Sequence, residues 1–495
     1  MSLENNNDDR AKIPNLIRIG AIQSDMNMEI DTDVLDPVVF NNTFCRFVLN
    51  NKGFLHSFSK IVLGVNDTAS NKAFPAGVGI HSLIERCALK IGTKTIAEID
   101  DFAHWMQYKS MFIDTDINNE RETFLTNRVM SHEFNYETGK TTATNSDVNA
   151  SNYYLKGQRY PNITPEQIYN GYGGGNVEIA TVNELKNSPL YSISLSDLFP
   201  FLRFNQLPLY MIDQQVSIEL HFTPDGQQRV MSQTGPAGGN TINEPEIRFI
   251  ADYIFYDGEI MNQYREANPT MTWNYVDYRL NKRTISASQL GANADAASKI
   301  IMDIGGAGRI CSKIVAGLYN DNLIGTGGTS LDKKPDISLL NIYSAKCPLT
   351  VSGNNQLFTT NLRYNDHYLY PLDRENFAIH FNDVIQGEGN VPHITRQEFS
   401  AEGTGGLSGA VADGGITYNN QVVSATDIGL NGGFFNQVYR LNRNERINSR
   451  GLELEVQYSS NAASGMKDAS HTHRAWLEIL RSATLTDGKF DVDFA

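Results

Sequence analysis

Long apolar runs are missing from this 495-residue sequence. A helix that crosses a bilayer needs about 20 predominantly apolar residues, and no segment of the chain provides them. The first ten residues, Met1 to Arg10, are polar and acidic and lack the apolar centre of a secretory signal peptide. We therefore expect no transmembrane segment and no export, and we expect residues 1–12 to form a flexible arm.

Clusters of basic residues are also missing. The chain has 41 Lys and Arg against 56 Asp and Glu, which gives a formal net charge of −15, and no run of five basic residues occurs. Proteins that bind nucleic acid mainly through its phosphates carry the opposite sign. The composition therefore predicts little or no direct binding of nucleic acid.

Cysteine is scarce, with four residues in the chain: Cys45, Cys87, Cys311 and Cys347. Because no two of them form a CxxC pair, neither a disulfide framework nor a zinc site is indicated. We expect buried free thiols in a reducing compartment.

Signatures of catalysis are weak. Gly305–Gly308 and Gly325–Gly328 are rich in glycine, but neither continues as a P-loop, so turns or close packing explain them better. His471 and His473 would lie on one side of a strand, yet no third metal ligand is near in sequence, and we expect a solvated loop or the start of a strand. No GxSxG motif is present. We predict no catalytic residue, no cofactor site and no metal site.

The alternation typical of β-strands, in contrast, is abundant. Apolar and polar residues alternate in Val216–Phe222 and Leu452–Tyr458, which predicts strands with one buried and one solvated face. Ile247–Tyr256 and Lys299–Ile304 are rich in β-branched and aromatic residues and predict more fully buried strands. Further strands are predicted at Thr43–Leu49 and Ile61–Val65.

Helical patterns are few. Ala88–Ile96 is typical of a hairpin with Gly92 at the turn, where a positive φ is needed. The best helix is Asp100–Met111, in which Asp100 or Asp101 would cap the first turn. Capping is a simpler role for these two carboxylates than acid–base chemistry. The pattern predicts an all-β protein with long loops and a few short helices, the loops lying at Asn118–Asn176, Asp225–Asn243 and Gly387–Gly433.

The two halves of the chain share a layout. A hairpin near residues 83–96 is echoed near 337–358, and the strand 216–222 is echoed at 452–458. A further strand follows each of these, at 247–256 and 474–480. Ser59–Val62 even recurs as Ser312–Val315.

We predict two tandem β-units, residues 13–265 and 266–495. The boundary falls in Asn262–Pro269, where charged residues and Pro269 mark a break.

Three glutamates, Glu219, Glu453 and Glu455, would lie on strand faces opposite the apolar rows, where carboxylates are usually solvated. In an oligomer some of them would instead face basic residues of a neighbouring subunit. The candidates are Arg440, Arg443, Arg446 and Arg450.

Several segments together resemble the major capsid proteins of large nucleocytoplasmic DNA viruses. Gly79–Gly92 followed by the Trp105 helix is similar to that family's LIE-x-(V/A)-x-L-x-IGG hairpin and short Trp-containing helix. Ile250–Asp257 resembles its VDYIYLD strand, which closes the first jelly roll. Further similar passages are Leu198–Leu202 with Leu207–Leu209, and Ser449–Tyr458 with Trp476–Leu480.

The chain also departs from that family. Thr93 replaces the second glycine of the hairpin turn, and the small residues Gly305–Gly308 stand where the family's second domain opens with an aromatic-rich strand. Length and divergence resemble the capsid proteins of virophages and polinton-like viruses more than those of giant viruses.

The resemblance implies an all-β double jelly roll, with two eight-stranded jelly rolls in tandem. It implies a structural protein and not an enzyme, a homotrimeric, pseudo-hexagonal capsomer that tiles the icosahedral shell of a DNA virus. The implied partners are other copies of the chain, neighbouring capsomers, and penton and minor capsid proteins. The implied location is the virion, after synthesis in the host cytoplasm or nucleus.

Two other functions are compatible with a β-sandwich, because fold alone does not fix function. A lectin-like or carbohydrate-active protein would present an exposed aromatic platform, and usually a calcium-binding carboxylate cluster or a secretion signal. A minor spike or penton protein would normally have one jelly roll, which the tandem layout argues against.

Overall fold

The structure is a computed structural model. Its described residues are 28–41, 43–65, 79–110, 190–203, 206–222, 231–232, 235–236, 242–286, 298–320, 358–364, 366–369, 377–388, 416–418, 421–423, 436–441, 447, 451–458 and 471–494. The predictions for residues 1–12, Asn118–Asn176, Gly325–Gly328 and Cys347 lie outside these residues, as does most of Gly387–Gly433.

The first half of the chain forms thirteen described strands and three α-helices. The strands are β1 (Met28–Leu35), β2 (Val39–Asn41), β3 (Phe44–Leu49), β4 (Phe54–Leu55), β5 (Lys60–Val65), β6 (Ile84–Ile91), β7 (Lys94–Asp100), β8 (Leu190–Ser194), β9 (Leu207–Pro208), β10 (Val216–Phe222), β11 (Met231–Ser232), β12 (Gly235–Pro236) and β13 (Ile242–Tyr256). The helices are α1 (Phe102–Ser110), α2 (Leu195–Leu198) and α3 (Gly258–Ala267), with 3₁₀ turns at Gly79–Leu83, Pro200–Arg203 and Leu209–Met211.

The second half adds eleven described strands and one α-helix. The strands are β14 (Thr270–Ile285), β15 (Ser298–Gly305), β16 (Cys311–Asn320), β17 (Phe358–Tyr364), β18 (His367–Tyr368), β19 (Ile416–Tyr418), β20 (Gln421–Val423), β21 (Asn436–Arg440), β22 (Leu452–Tyr458), β23 (His471–Thr486) and β24 (Lys489–Phe494). The helix is α4 (Phe377–Glu388).

Eight principal strands of the first half form a two-sheet sandwich, which we call the first unit. In chain order they are β1, β3, β5, β6, β7, β8, β10 and β13. One sheet has the order β1-β13-β5-β8 and the other β3-β10-β6-β7, all pairs being antiparallel. Numbered from one to eight, the strands therefore follow the orders 1-8-3-6 and 2-7-4-5, which two nested Greek keys produce.

The second unit repeats this topology. Its eight principal strands are β14, β15, β16, β17, β18, β21, β22 and β23. They form the sheets β14-β23-β16-β21 and β15-β22-β17-β18, again 1-8-3-6 and 2-7-4-5. The predicted echo of 216–222 at 452–458 is confirmed, because β10 and β22 are both seventh strands.

The short repeat of Ser-Lys-Ile-Val also falls at equivalent places. Ser59–Val62 enters β5 and Ser312–Val315 lies in β16, and each is the third strand of its unit. The hairpin expected near 337–358 lies almost wholly outside the described residues. The fourth and fifth strands of the second unit are β17 and β18, at 358–368.

The strand that opens the second unit corrects one reading of the sequence. β14 carries Trp273, Tyr275 and Tyr278, so an aromatic-rich opening strand is present. Gly305–Gly308 instead lies at the turn between β15 and β16, as a turn role predicted. Gly306 has a φ of +87°, and a Cβ there would lie 2.9 Å from Leu477 Cδ2.

Burial departs from expectation on β10 and β15. Ser217 and Glu219 on β10 are only 1% and 7% exposed, so the predicted solvated face is wrong. β10 lies in the middle of its sheet, between β3 and β6, whose long side chains cover it. On β15, in contrast, Ile301 is 37% exposed, so that strand is less buried than predicted.

Local predictions around the first hairpin are confirmed. Gly92 has a φ of +59° between β6 and β7, and α1 follows, with Trp105 buried. The described cysteines Cys45, Cys87 and Cys311 are buried free thiols. β14 begins at Thr270, after α3; the division into residues 13–265 and 266–495 stays a prediction.

Candidate functional site at the seam between the two units

The two units meet along one buried contact region, which we call the seam. The first unit contributes β7 and α1, and the second contributes β14, β16, β23, β24 and α4. β14 and β23 pair over 16 residues, from Thr270 opposite Thr486 to Ile285 opposite His471. One such long ribbon can cover its own core and also contact the neighbouring unit.

A β-bulge in β7 opens the seam to hydrogen bonding. The β6–β7 register shifts between Leu89 and Lys90, and Ile96 has no partner in the ladder. An unpaired buried carbonyl needs another donor. Tyr275 Oη donates to Ile96 O at 2.6 Å, and Arg481 Nη1 donates to the same oxygen at 2.9 Å. Two side chains of the second unit thus satisfy a backbone carbonyl of the first.

A buried ion pair lies beside this bulge. Arg481 Nη1 is 2.7 Å from Asp277 Oδ2, and these residues are only 4% and 2% exposed. Asp277 Oδ1 also accepts a hydrogen bond from the backbone N–H of Glu98 at 3.3 Å, across the seam. Burial raises the pKa of Asp277 above its ordinary value, although the Arg481 and Arg279 guanidiniums act in the opposite direction.

A second charged group forms where β7 turns into α1. Asp101 has a φ of +53° and is buried. Its carboxylate lies 2.7 Å from His104 Nδ1, 2.5 Å from Arg474 Nε and 3.1 Å from Lys282 Nζ. The capping role stays a prediction, and the contacts of the Asp101 carboxylate include two cations of the second unit.

Aromatic packing continues the seam along α1. Trp105 lies 4.2 Å from Tyr278 and 6.0 Å from Trp476, measured between ring centroids. Trp476 Nε1 donates to the backbone carbonyl of Asp100 at 3.1 Å. Trp105 and Trp476 are each 1% exposed, so two of the three tryptophans in the chain lie at this contact.

A buried ionic cluster completes the contact at the end of α1. Glu388 of α4 accepts hydrogen bonds from Tyr108 at 2.5 Å, Lys313 at 2.7 Å and Lys109 at 2.8 Å. Lys313 is also 3.4 Å from Glu478. Loss of solvent would raise the pKa of Glu388, but the two ammonium groups lower it to about 2. Two positive and two negative charges balance within the cluster.

The hairpin of β23 and β24 docks on the first unit at the other end of the seam. Trp273 stacks on Phe490 with centroids 5.5 Å apart, and the Phe490 N–H donates to Gln214 Oε1 at 2.9 Å. Lys94 and Asp491 form an ion pair. The two units are therefore joined by hydrogen bonds, ion pairs and aromatic contacts over the whole length of the ribbon.

The other residues considered from the sequence lie elsewhere. His471 starts β23 and His473 is 3% exposed, so the strand start is confirmed and the solvated loop is wrong for His473. Among the described residues, no three His, Cys, Asp or Glu side chains are grouped as metal ligands would be.

The three glutamates pair with cations of their own chain. Glu219 is 2.6 Å from Lys90, and Glu453 and Glu455 are 3.6 and 3.8 Å from Arg363. Glu219 and Glu455 are buried, so the expectation of solvated carboxylates is wrong for them. Glu219 has two cations of its own chain near it, Lys90 and Arg46, whereas Arg363 is shared by Glu453 and Glu455. Pairing of these glutamates with a neighbouring subunit stays a prediction.

Solved structures of viral capsid proteins share this architecture. PBCV-1 VP54, fitted into a reconstruction of the virophage Sputnik, aligns with a TM-score of 0.52 at 10% identity, over 95% of this chain and 97% of that one. A quasi-atomic model of the PBCV-1 capsid aligns at 0.51 and 11% identity, over 95% and 97%. The Faustovirus major capsid protein gives 0.47 at 10% identity, over 96% and 93%.

The chain folds as a double jelly roll. The strand orders and the two alignments above 0.5 agree on this, so the resemblance read from the sequence is confirmed at the level of the fold. No protein-family model and no curated protein matches the sequence. Within the described residues of the double jelly roll, no helix has the length and apolar character that a membrane span requires.

Sequence reasoning did not predict the seam: it named Trp105, Trp476 and the Asp100–Asp101 pair only as parts of a helix, a strand and a helix cap. One signal was available: Arg474 and Arg481 flank the largely apolar stretch 475–480 of β23, and Asp277 lies between Val276 and Tyr278 on β14. Charges in a buried strand indicate partners, but the sequence does not say which. The seam holds the two jelly rolls together and thereby makes one building block.

Proposed function

We propose that the chain is a major capsid protein, a structural building block that assembles with copies of itself into a viral shell. The double jelly roll supports this, since it spans 95% of the chain and occurs in capsid proteins of similar layout. The proposal includes no catalytic reaction and no cofactor.

The observation that carries the proposal is the asymmetry of the seam. The second unit uses its first strand, β14, while the first unit uses its fifth, β7. A contact that joins two different surfaces of two similar modules is a head-to-tail contact. Repeated contacts of this kind close into a ring when the rotation from one module to the next permits it. Two modules per chain and three chains would give a pseudo-hexagonal ring of six jelly rolls.

We further propose the context that such a ring implies. Neighbouring rings would tile an icosahedral shell of a DNA virus, with penton and minor capsid proteins as additional partners. The protein would be made in the host cytoplasm or nucleus and would act in the virion. Residues 13–265 and 266–495 would be the two folding units.

Electron microscopy of the purified protein tests this proposal. Six-lobed particles of one size, and larger sheets or shells of such particles, are the expected result. Single elongated molecules that bind oligosaccharides on a glycan array would contradict it and favour the lectin-like alternative. In the described part of the chain, the exposed aromatic residues are Phe58 and Tyr368. Two such residues provide little of the exposed aromatic platform that a lectin-like protein would use to bind sugars.

A further inference from the structure

The seam joins the fifth strand of the first unit to the first strand of the second, and among the described residues the reverse pairing, of first strand and fifth strand, is not made. β14 and β7 are the first and fifth strands of their units. Their counterparts are β1 in the first unit and β18 in the second. Within the described residues, β1 pairs only with β13 and β18 only with β17, so both are sheet edges.

Exposed apolar side chains concentrate at β1 and the residues that follow it. Five of the nine exposed large hydrophobic residues in the described chain occur between residues 28 and 39. They are Met28 (51% exposed), Ile30 (53%), Val34 (57%), Val38 (66%) and Val39 (43%), which we call the β1 stripe. An apolar edge strand left open is a pairing hazard unless a partner covers it.

Strand registers place one residue of the β1 stripe, Val34, at a position that the seam uses in the second unit. Leu35 lies opposite Phe249, which lies opposite Ile61; likewise Arg279 lies opposite Leu477, which lies opposite Ile314. Ile61 and Ile314 hold the same place in the repeated Ser-Lys-Ile-Val.

Leu35 is therefore equivalent to Arg279, and Val34 to Tyr278. Tyr278 packs on Trp105 of the first unit with centroids 4.2 Å apart, whereas Val34 is 57% exposed. The position that the seam covers in the second unit is thus uncovered in the first.

The negative charge on β1 is partly offset by one nearby lysine. Asp31 and Asp33 alternate with the apolar residues, and Lys52 Nζ lies 2.7 Å from the first carboxylate and 2.9 Å from the second. The pairing lowers the pKa of Asp33, and both carboxylates stay close to a cation. One ammonium group offsets only one of the two carboxylates, so this face keeps a net negative charge beside its exposed apolar side chains.

We propose that the β1 stripe binds the second unit of another copy of this chain, on the side of the β17–β18 hairpin. That hairpin is the counterpart of β6–β7, and its residues Asp366, His367 and Tyr368 are all exposed. The inference rests on the proposed self-assembly and names the two surfaces that would carry it. The contact between two chains would then join a first strand to a fifth strand, as the seam does within one chain.

The first experiment compares masses in solution by light scattering after size exclusion. The double variant Ile30→Lys/Val34→Lys places two ammonium groups in the stripe, and a shift is expected from about 165 kDa to the 55.1 kDa of one chain. Ile301→Lys is the matched control, since Ile301 is 37% exposed on β15, at the opposite edge of the sheet from β18. Circular dichroism and thermal unfolding check that both variants fold.

Two results separate the inference from the function on which it rests. If the double variant stays trimeric, the stripe is not the contact, while the capsid proposal stands. If the unaltered chain is monomeric at every concentration, the capsid proposal itself fails.

A mixing experiment tests the direction of the contact. Tyr368→Lys alters the other face and places an ammonium group near Glu455, which accepts a hydrogen bond from the Tyr368 hydroxyl at 3.0 Å. In a head-to-tail contact, each variant keeps one intact face, so an equimolar mixture is expected to form a two-chain species of about twice 55.1 kDa. A Tyr368→Lys variant that still forms full trimers would overturn the proposed role of β18.

Discussion

Removing Arg481 tests whether the seam joins the two jelly rolls energetically. Arg481→Met keeps most of the side-chain volume but removes the ion pair to Asp277 at 2.7 Å and the hydrogen bonds to Ile96 O and Thr95 O. Breaking a buried pair by removing one partner costs about 3–5 kcal/mol, because the remaining charge is left buried. Arg279, 3.7 Å from Asp277, compensates in part. We expect a loss of about 3 kcal/mol in the free energy of unfolding.

Two companion variants set the scale of this effect. Tyr275→Phe removes one hydrogen bond to Ile96 O, which Arg481 still satisfies, so about 1 kcal/mol is expected. Arg248→Met is the surface control: Arg248 pairs with exposed Asp36 at 3.4 Å, and its loss should cost under about 1 kcal/mol.

Urea unfolding followed by tryptophan fluorescence is the assay, since Trp105 and Trp476 report on the seam directly. Adding Asp277→Asn to Arg481→Met should recover part of the loss, because the unpaired charge is then gone. A cost for Arg481→Met no larger than that of Arg248→Met would refute the reasoning.

Three further predictions concern acid stability, the turn and the thiols. Glu388 has a pKa lowered to about 2 from an ordinary 4.5, so the stability it contributes is present above pH 4.5 and lost as pH falls towards 2. As pH falls from 4.5 towards 2, the free energy of unfolding should therefore decrease less steeply for Glu388→Gln than for the unaltered chain. Equal slopes would contradict this. Gly306→Ala should be more destabilising than Gly308→Ala in thermal unfolding, since both have positive φ but only Gly306 lacks room for a Cβ; equal losses would show that the crowding has no effect. With Cys347 replaced by Ser, the folded protein should react with a thiol reagent only as fast as it unfolds, because burial raises the pKa of Cys45 to about 12 and that of Cys311 to about 11; a fast-reacting thiol would contradict this.

Local patterns predicted the strands and turns well. The alternation in β10 and β22, the positive φ at Gly92 and the helix containing Trp105 depend on neighbouring residues, and all are confirmed. Repetition along the chain then predicted the tandem layout. The shared strand orders explain why that repetition was visible.

Long-range contacts explain what the sequence did not reveal. Ile96 and Arg481 are 385 residues apart, and nothing near either residue indicates the other. Glu219 was expected in solvent because its strand alternates, but Lys90 on the next strand covers it. β14 was not predicted as the opening strand of the second unit, because its aromatic residues are interspersed with charged and polar ones.

The mass of the purified protein in solution is the most direct test of the capsid proposal. Light scattering should give about 165 kDa, three times the 55.1 kDa of one chain, and the value should hold on dilution. A mass of one chain that persists over a wide concentration range would contradict the account, because a double jelly roll that does not associate with itself cannot tile a shell.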